Sequence, residues 1–265
     1  LKSIGGDFEV NAKSSSLASF EGLENLETIG GNFKVIAESS FKGLNGLKSI
    51  GGDFEVNANS SLESFEGLES LETIGGNFRV IAESDHSLRF LSSFKGLSGL
   101  KSIGGDFEVN AKSSSSYSSS SSLKSLASFE GLESLETIGG NFKVIDKLAL
   151  SSLSSFKGLS SLKSIGGDFE VKARVLESFE GLENLTNIGD KLTIKGCSSL
   201  NNIDALKNIE SLNDISITTC SKLYDFCVLK NVVQNMSGTF YVNDNGYNPT
   251  KYQLLNGECS QIPQE

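Results

Sequence analysis

The stretch 70–111 reads SLETIGGNFRVIAESDHSLRFLSSFKGLSGLKSIGGDFEVNA and contains nearly the same unit twice. The segment LETIGGNFRV at 71–80 becomes LKSIGGDFEV at 100–109, with every apolar letter kept. The charges reverse, because Lys101 replaces Glu72 and Glu108 replaces Arg79. A pattern that keeps its apolar positions and reverses its charges indicates that successive units contact one another directly.

The unit recurs along the chain and reads as one turn of a solenoid. Its F-x-V segment has the period of two that is typical of a strand. Recurring glycine and the lack of a sustained helical spacing argue against helices. We expect the Gly-Gly pair before each strand to permit a turn with positive φ. A single unit buries too little apolar surface to fold alone, so we predict stacked rungs with parallel strands. The L-x-x-I-G pattern starts rungs at Leu1, Leu26, Leu47, Leu71, Leu100, Leu135, Leu162 and Leu185, and Leu212 opens a divergent last one.

Stacking explains the reversed charges. Equivalent residues of stacked rungs lie ~4.8 Å apart, so a column of identical charges would repel itself. We predict that the alternation sets the register, because a slip of one rung would pair like charges throughout. The column within the strands is Glu9, Lys34, Glu55, Arg79, Glu108, Lys143 and Glu170. Two further columns are Lys2, Glu27, Lys48, Glu72, Lys101, Glu136 and Lys163, and Glu21, Lys42, Glu66, Lys95, Glu130, Lys157 and Glu180.

The predicted fold class is therefore all-β, a parallel β-helix or solenoid of about nine rungs with a C-terminal cap. We assign residues 1–211 to the repeat solenoid and 212–265 to the last rung and cap, within a single continuous domain. No comparable cap precedes Leu1. We therefore expect an exposed strand edge on the first rung, which either frays or pairs end to end with another copy.

Charge and composition exclude several function classes. A net charge of -10 and a pI of about 4.8 argue against nucleic acid and anionic membranes as partners. No apolar run approaches the ~20 residues of a membrane span, and no signal peptide is apparent. Asp85, His86 and Ser87 offer an acid, a base and a nucleophile, but adjacent loop residues rarely reach triad geometry. We expect no enzyme activity and no cofactor or metal.

The residue after each Gly-Gly pair forms a polar column. Its members alternate between aspartate and asparagine: Asp7, Asn32, Asp53, Asn77, Asp106, Asn141 and Asp168. A calcium column is one interpretation, but aspartates two rungs apart lie ~10 Å from each other, too far for one ion to bridge. We expect turn-stabilising side chains instead.

Three insertions fall at the same place in three consecutive rungs, at 83–93, 112–128 and 146–155. Such an edge is often the binding face of a solenoid, so His86, Arg89, Phe90 and Tyr117 are candidate binding residues. The alternative is a set of solvated linkers whose apolar residues fold back on the core: Leu88, Phe90, Leu91, Leu148, Leu150 and Leu153.

Two of the four cysteines occupy equivalent positions one rung apart. Cys197 lies in IKGCSSL and Cys220 in ITTCSKL. Their stacking is compatible either with a disulfide or with two neighbouring thiols. Zinc is disfavoured, since no C-x-x-C spacing or nearby histidine accompanies them.

The units SFEGLESLETIGGNFKV and SFKGLSGLKSIGGDFEV resemble the leucine-rich repeats of bacterial cell-surface proteins related to receptor L domains. The closing stretch LYDFCVLKNVVQNMSGTFYVNDNGYNPTKYQLLNGECSQ is similar to the C-terminal cap of that family. The resemblance implies a right-handed parallel β-helix, a secreted or surface location, and roles in adhesion or recognition. It also implies a Cys227–Cys259 bridge that closes the cap, in an oxidising compartment.

The first seven units are almost identical, whereas the chain drifts from Leu185 onward. This contrast and the unbroken charge alternation indicate consensus engineering; recent duplication of a two-rung segment is the alternative. Two functions follow. One is a recombinant, soluble, non-catalytic scaffold that displays its insertions. The other is a natural secreted or cell-surface protein that binds a protein or a glycan along one edge.

Overall fold

The computed structural model describes residues 1–12, 19–37, 40–57, 62–82, 90–111, 126–146 and 152–263. Each of the first eight rungs contributes a short strand, followed by a longer one, and the ninth contributes a long strand alone. The short strands form an eight-stranded parallel sheet in chain order. They are β1 Ser3–Ile4, β3 Thr28–Ile29, β5 Ser49–Ile50, β7 Thr73–Ile74, β9 Ser102–Ile103, β11 Thr137–Ile138, β13 Ser164–Ile165 and β15 Asn187–Ile188.

The longer strands form a ten-stranded sheet, again parallel and in chain order. They are β2 Phe8–Ala12, β4 Phe33–Ala37, β6 Phe54–Val56, β8 Phe78–Ala82, β10 Phe107–Ala111, β12 Phe142–Asp146, β14 Phe169–Lys172, β16 Lys191–Lys195, β17 Asp214–Thr218 and β18 Phe240–Asn243. The predicted parallel β-solenoid is confirmed. The estimate of nine rungs omits β18, which pairs with β17 from within the cap.

The core is a set of columns that run the length of the solenoid. The first residue of each long strand is Phe in the first seven rungs. Four of the six neighbouring pairs in this column stack, as Phe33 and Phe54 do at 5.1 Å between centroids, and the pairs Phe78–Phe107 and Phe142–Phe169 meet edge to face. Each of the first seven rungs also carries an F-x-G-L motif, such as FKGL at 94–97, which forms a corner of the rung. The phenylalanines of these corners form a second column, in which Phe94 and Phe129 stack at 5.5 Å between centroids. Stacked rings with edge-to-face contacts between the columns stabilise each rung against the next.

A column of leucines completes the core. Each leucine lies three residues before the first residue of its corner, as Leu91 does before Phe94. All its described members are buried: Leu62, Leu91, Leu126, Leu153, Leu176, Leu200 and Leu223. The sequence shows them only as a leucine at constant distance from the corner, because the insertions before them differ in length. The third to ninth rungs are therefore closed by the same apolar contact whatever precedes it.

The Gly-Gly pairs play a different role from the one expected. Positive φ occurs at the glycine of each F-x-G-L corner, such as Gly43 at 97°, and at none of the Gly-Gly pairs. The expectation of positive φ there is wrong. The pairs are glycine because rungs approach closely: a Cβ on Gly31 would lie 2.7 Å from the carbonyl carbon of Gly6.

The C-terminal cap contains the only α-helices among the described residues, α1 Lys230–Asn235 and α2 Lys251–Leu255, and a 3-10 turn at Cys227–Leu229. Helix α2 begins with a capping box, in which Thr250 accepts the Gln253 amide and the Gln253 side chain accepts the Thr250 amide. Leu229, Val233 and Leu254 are fully buried against the end of the solenoid. A second 3-10 turn, Asp204–Asn208, replaces the F-x-G-L corner of the eighth rung.

Candidate functional site

The insertion edge is the side of the solenoid at which the three long insertions leave and rejoin it. Before the insertions, Ala82 pairs with Ala111 and Ala111 with Asp146 in the register of the long sheet. After them, Leu91, Leu126 and Leu153 are all fully buried. Three consecutive rungs therefore hold both ends of the three insertions in stacked positions, about one strand spacing of ~4.8 Å apart.

A serine stabilises the turn at which the chain rejoins the solenoid after each insertion, which we call the return point. Ser93 and Ser155 are the buried polar residues of the described chain, 8% and 6% exposed. The Oγ atom of Ser93 accepts the backbone amide of Lys95 at 3.4 Å, and that of Ser128 accepts the amide of Glu130 at 3.3 Å. Sequence reasoning missed these serines, although the signal exists as a serine before the corner phenylalanine in S-F-x-G-L. The turn is thus set by a local hydrogen bond rather than by the insertion.

Of the candidate binding residues, Phe90 lies within the described chain and is 58% exposed. It stands directly before the buried Leu91, so a large apolar ring projects beside the return point of the first insertion. His86, Arg89 and Tyr117 lie outside the described residues, as do Asp85, Ser87, Leu88, Leu148 and Leu150. Leu91 and Leu153 pack in the core as the alternative interpretation expected, whereas Phe90 does not.

The charged columns cover the outer surface of the rungs. Strand pairing places Lys34 between Glu9 and Glu55, and Lys143 between Glu108 and Glu170. Lys34 forms an ion pair with Glu55 at 2.9 Å, and Arg79 contacts Glu108 at 3.7 Å. Neighbouring rungs therefore present opposite charges to each other along the long sheet.

The other two columns pair across rungs as well. One column follows the leucine that opens each rung. Its ion pairs are Lys2–Glu27, Lys48–Glu27, Lys101–Glu72 and Lys163–Glu136. The hydrogen bond from Lys163, at 2.7 Å, and the charge of that lysine lower the pKa of Glu136. In the corner column, Lys95 contacts Glu66 at 3.1 Å and Lys157 contacts Glu180 at 3.2 Å. These exposed groups serve contacts between rungs.

The Asp/Asn column hydrogen-bonds between rungs rather than within its own turn. Oδ1 of each member accepts the backbone amide of the next member, as Asn32 Oδ1 does from Asp53 at 2.8 Å. Asn141 also donates its side-chain amide to Asp106 at 2.9 Å. No cluster of three potential metal ligands occurs among the described residues. The chemistry of this column is therefore that of a hydrogen-bonded ladder.

The four cysteines form one disulfide and one pair of thiols. Cys227 and Cys259 are bonded, with their Cα atoms 4.8 Å apart, and the bond ties the start of the cap to its end. Cys197 and Cys220 are buried thiols, which donate to the backbone carbonyls of Lys195 at 3.8 Å and Thr218 at 3.5 Å. The neighbouring Cys220 thiol and burial raise the pKa of Cys197, which disfavours its thiolate.

A polar groove lies on either side of Lys207, in the eighth rung. Asn184, Thr186, Asn208 and Asn231 line one side, and Glu180, Glu183 and Asp204 line the other. Several of these groups already bond neighbouring rungs: Asn184 donates to the Ser160 carbonyl at 2.7 Å and Asn208 to the Glu183 carbonyl at 2.6 Å. Side chains that line the groove therefore connect the divergent rungs by hydrogen bonds.

No helix in the described part of the chain is long and apolar enough to cross a membrane. No family model matches the chain, and no curated protein matches it. Among solved structures, the chain is similar to an internalin (inlF) from Listeria monocytogenes str. 4b F2365. The identity is 15%, the match covers 91% of this chain and 74% of that chain, and the TM-score is 0.26. The fold assignment therefore rests on the strand pairing described above.

Proposed function

We propose that this chain is a non-catalytic repeat scaffold, engineered as a consensus array, that displays a binding surface on its insertion edge. The observation that carries this proposal is the stacking of the insertion ends. Ala82, Ala111 and Asp146 are register partners, and the chain returns at three buried leucines. The rungs keep the same core contacts while the insertions differ in length, which is the property a display scaffold needs.

The polar groups of the described surface support a non-catalytic role. The charged columns pair between rungs, and the Asp/Asn column bonds backbone amides. Catalysis needs an acid, base or nucleophile that points into a shared pocket, and these groups are committed to contacts between rungs.

The second candidate is a natural secreted or cell-surface protein that binds a protein or a glycan along the same edge. The Cys227–Cys259 disulfide favours this candidate, since disulfides persist in oxidising compartments. The engineered origin is favoured by the contrast between almost identical early rungs and a divergent end. A genome that encodes residues 1–184 as they stand would overturn that origin.

The test replaces each insertion with the shorter connector of the third rung, NSSLES at 59–64, which keeps the buried leucine. Residues 83–93, 112–128 and 147–155 are exchanged singly and together, which keeps Asp146 because it is the last residue of β12. We expect each exchange to change the free energy of unfolding by less than about 1 kcal/mol, because loop-closure entropy varies slowly with length. The matched control carries NSSNES, which removes the leucine and should cost about 2–5 kcal/mol.

Binding is screened on a glycan array and a panel of extracellular proteins, with the parent chain and the triple exchange side by side. A ligand that binds the parent and is lost on exchange supports display of a binding surface. A cooperative loss of more than about 3 kcal/mol on exchange would show that the insertions are structural and would refute the proposal.

A further inference from the structure

The polar groove beside Lys207 lies where the repeat pattern changes. On one side of this lysine, Asn184, Asn208, Glu210 and Asn231 line a volume of about 420 Å³, a size common among small-molecule sites. We call this side the asparagine groove. Its residues follow the corners of their rungs, whereas the insertions precede the corners. The asparagine groove is therefore a surface separate from the insertion edge.

Lys207 replaces a side chain that stabilises the corner in earlier rungs. In five of the seven rungs with a glycine corner, the residue two positions after that glycine accepts its backbone amide, as Glu183 does from Gly181 at 3.0 Å. The eighth rung has Ala205 in place of this glycine, and backbone hydrogen bonds close its 3-10 turn. A lysine side chain has no acceptor for an amide. Lys207 is exposed, and its ammonium group has no bonding partner among the described residues.

Glu210 lacks the ion pair that its column provides in earlier rungs. The Glu210 amide donates to the Thr186 carbonyl at 2.8 Å, and the Lys163 amide donates to the Glu136 carbonyl in the same way. Lys163 and Glu136 also form an ion pair at 2.7 Å. Thr186 is uncharged, so the carboxylate of Glu210 has no such partner one rung before it. Within the part of the chain that the structure describes, this carboxylate forms no ion pair.

Three asparagines occupy one position in consecutive rungs, as the matching segments LKNI at 206–209 and LKNV at 229–232 show for two of them. The side chain of Asn184 donates to the Ser160 carbonyl at 2.7 Å. That of Asn208 donates to the Glu183 carbonyl at 2.6 Å. Asn231 is exposed, and its side chain bonds to none of the described residues. The groove thus combines two fixed amides with one that is available.

The available groups of the groove are mainly acceptors. They are the Oδ1 atoms of the asparagines and the Glu210 carboxylate, with the Lys207 ammonium and the Asn231 amide as donors. A sugar hydroxyl both donates and accepts, so a neutral glycan matches both kinds of group. An anionic ligand would meet Glu180 and Glu183 on the other side of Lys207. A cationic ligand would meet the ammonium group of Lys207 itself.

We propose that the asparagine groove is a binding site for a neutral glycan. Lys207 donates to a sugar oxygen, Glu210 accepts from sugar hydroxyls, and Asn231 does both. Asn184 and Asn208 keep their bonds to the preceding rungs and offer Oδ1 as an acceptor. Because these bonds position both side chains before the glycan arrives, binding orders few groups of the protein. This site is independent of the function proposed for the insertion edge.

The test titrates the isotope-labelled chain with three neutral trisaccharides, chitotriose, maltotriose and mannotriose, and follows its amide NMR signals. We expect at least one of them to shift the signals of Asn208, Glu210 and Asn231 in a saturable manner. Sialyllactose and trilysine are the anionic and cationic comparison ligands, and we expect neither to shift these signals. No shift with any of the three neutral sugars, or a shift with a charged ligand alone, would overturn the proposal.

The variants Lys207→Met and Asn231→Ala separate binding from folding. We expect each to weaken binding roughly tenfold, because each removes one hydrogen bond to the sugar. The control, Lys230→Met, changes the lysine at the equivalent position one rung on and should leave binding unchanged. We expect all three variants to melt at the temperature of the parent. A lower melting temperature for Lys207→Met would assign this lysine a structural role and contradict the proposal, as would equal effects of Lys207→Met and Lys230→Met on binding.

Discussion

The backbone amide of Asn77 lies 2.8 Å from Oδ1 of Asp53, and the side-chain amide of Asn77 lies 2.9 Å from the same oxygen. The next member of the column repeats the contact, because Oδ1 of Asn77 accepts the amide of Asp106 at 2.7 Å. Asparagine can donate to one rung and accept from the next, which aspartate cannot do when it is ionised. Alternation of the two residues keeps carboxylates from adjacent rungs.

Asn77→Asp should therefore destabilise the solenoid although the backbone acceptor remains. The variant loses a donor and places a third carboxylate between Asp53 and Asp106, so we expect a loss of about 1–2 kcal/mol in chemical denaturation. The control, Asp106→Asn, keeps an acceptor for the Asn141 amide and should change stability by less than about 0.5 kcal/mol. Equal effects of the two variants would contradict the ladder.

Gly31→Ala and Gly6→Ala form a matched pair at equivalent positions. The Cβ at Gly31 would lie 2.7 Å from the Gly6 carbonyl carbon, so rungs must separate, with an expected loss of about 1–3 kcal/mol. Gly6→Ala should lie within about 0.5 kcal/mol of the parent. The measurement is the denaturant midpoint of each variant. A similar loss for both would show that backbone conformation, rather than close approach, requires these glycines.

Lys34 and Glu55, 2.9 Å apart and partly exposed, provide a test of the charge columns. A double-mutant cycle with Lys34→Gln and Glu55→Gln should give a coupling energy of about 0.2–1 kcal/mol. Because the pair is near the surface, the coupling should shrink in 1 M salt, where the Debye length is about 3 Å. A coupling that does not change with salt would point to packing rather than charge.

The Cys227–Cys259 disulfide closes a loop with a sequence separation of 32. Replacing both cysteines with serine should lower stability by about 3–4 kcal/mol, on the loop-entropy estimate. Reductant should lower the melting temperature of the parent and leave the double variant unchanged. Cys197→Ala serves as the control, since that thiol is not bridged and the variant should stay sensitive to reductant.

The Glu136–Lys163 pair predicts a pH response. The lysine lowers the folded-state pKa of Glu136, so its stabilisation is complete above the unfolded-state pKa of about 4.3. It disappears as the pH falls through the folded-state value. We expect Lys163→Met to raise the pKa of Glu136 toward its ordinary value in an NMR titration of the side-chain carboxyl group. An unchanged pKa would show that Lys163 is not its cause.

Much of the architecture follows from the sequence alone. The repeated apolar letters predict stacked parallel rungs, because a single rung cannot bury its core, and the ten-stranded parallel sheet confirms that fold class. The alternating charges are readable for the same reason: stacked positions are neighbours, so their signs report on contacts between rungs. The insertions also predict the edge of the solenoid from which they leave, because the strands that flank each insertion keep the same lengths.

Other features depended on contacts that no local pattern records. The Gly-Gly pairs look like turns with positive φ, yet their role is set by the backbone of the preceding rung, about one strand spacing away. Cys197 and Cys220 occupy equivalent positions and stay thiols, whereas Cys227 and Cys259, far apart in sequence, are bonded. The sequence by itself determined the repeat, the stacking direction and the charge register, because these follow from periodicity. Only the tertiary structure decided which atoms touch, because distances between rungs depend on how the whole stack packs.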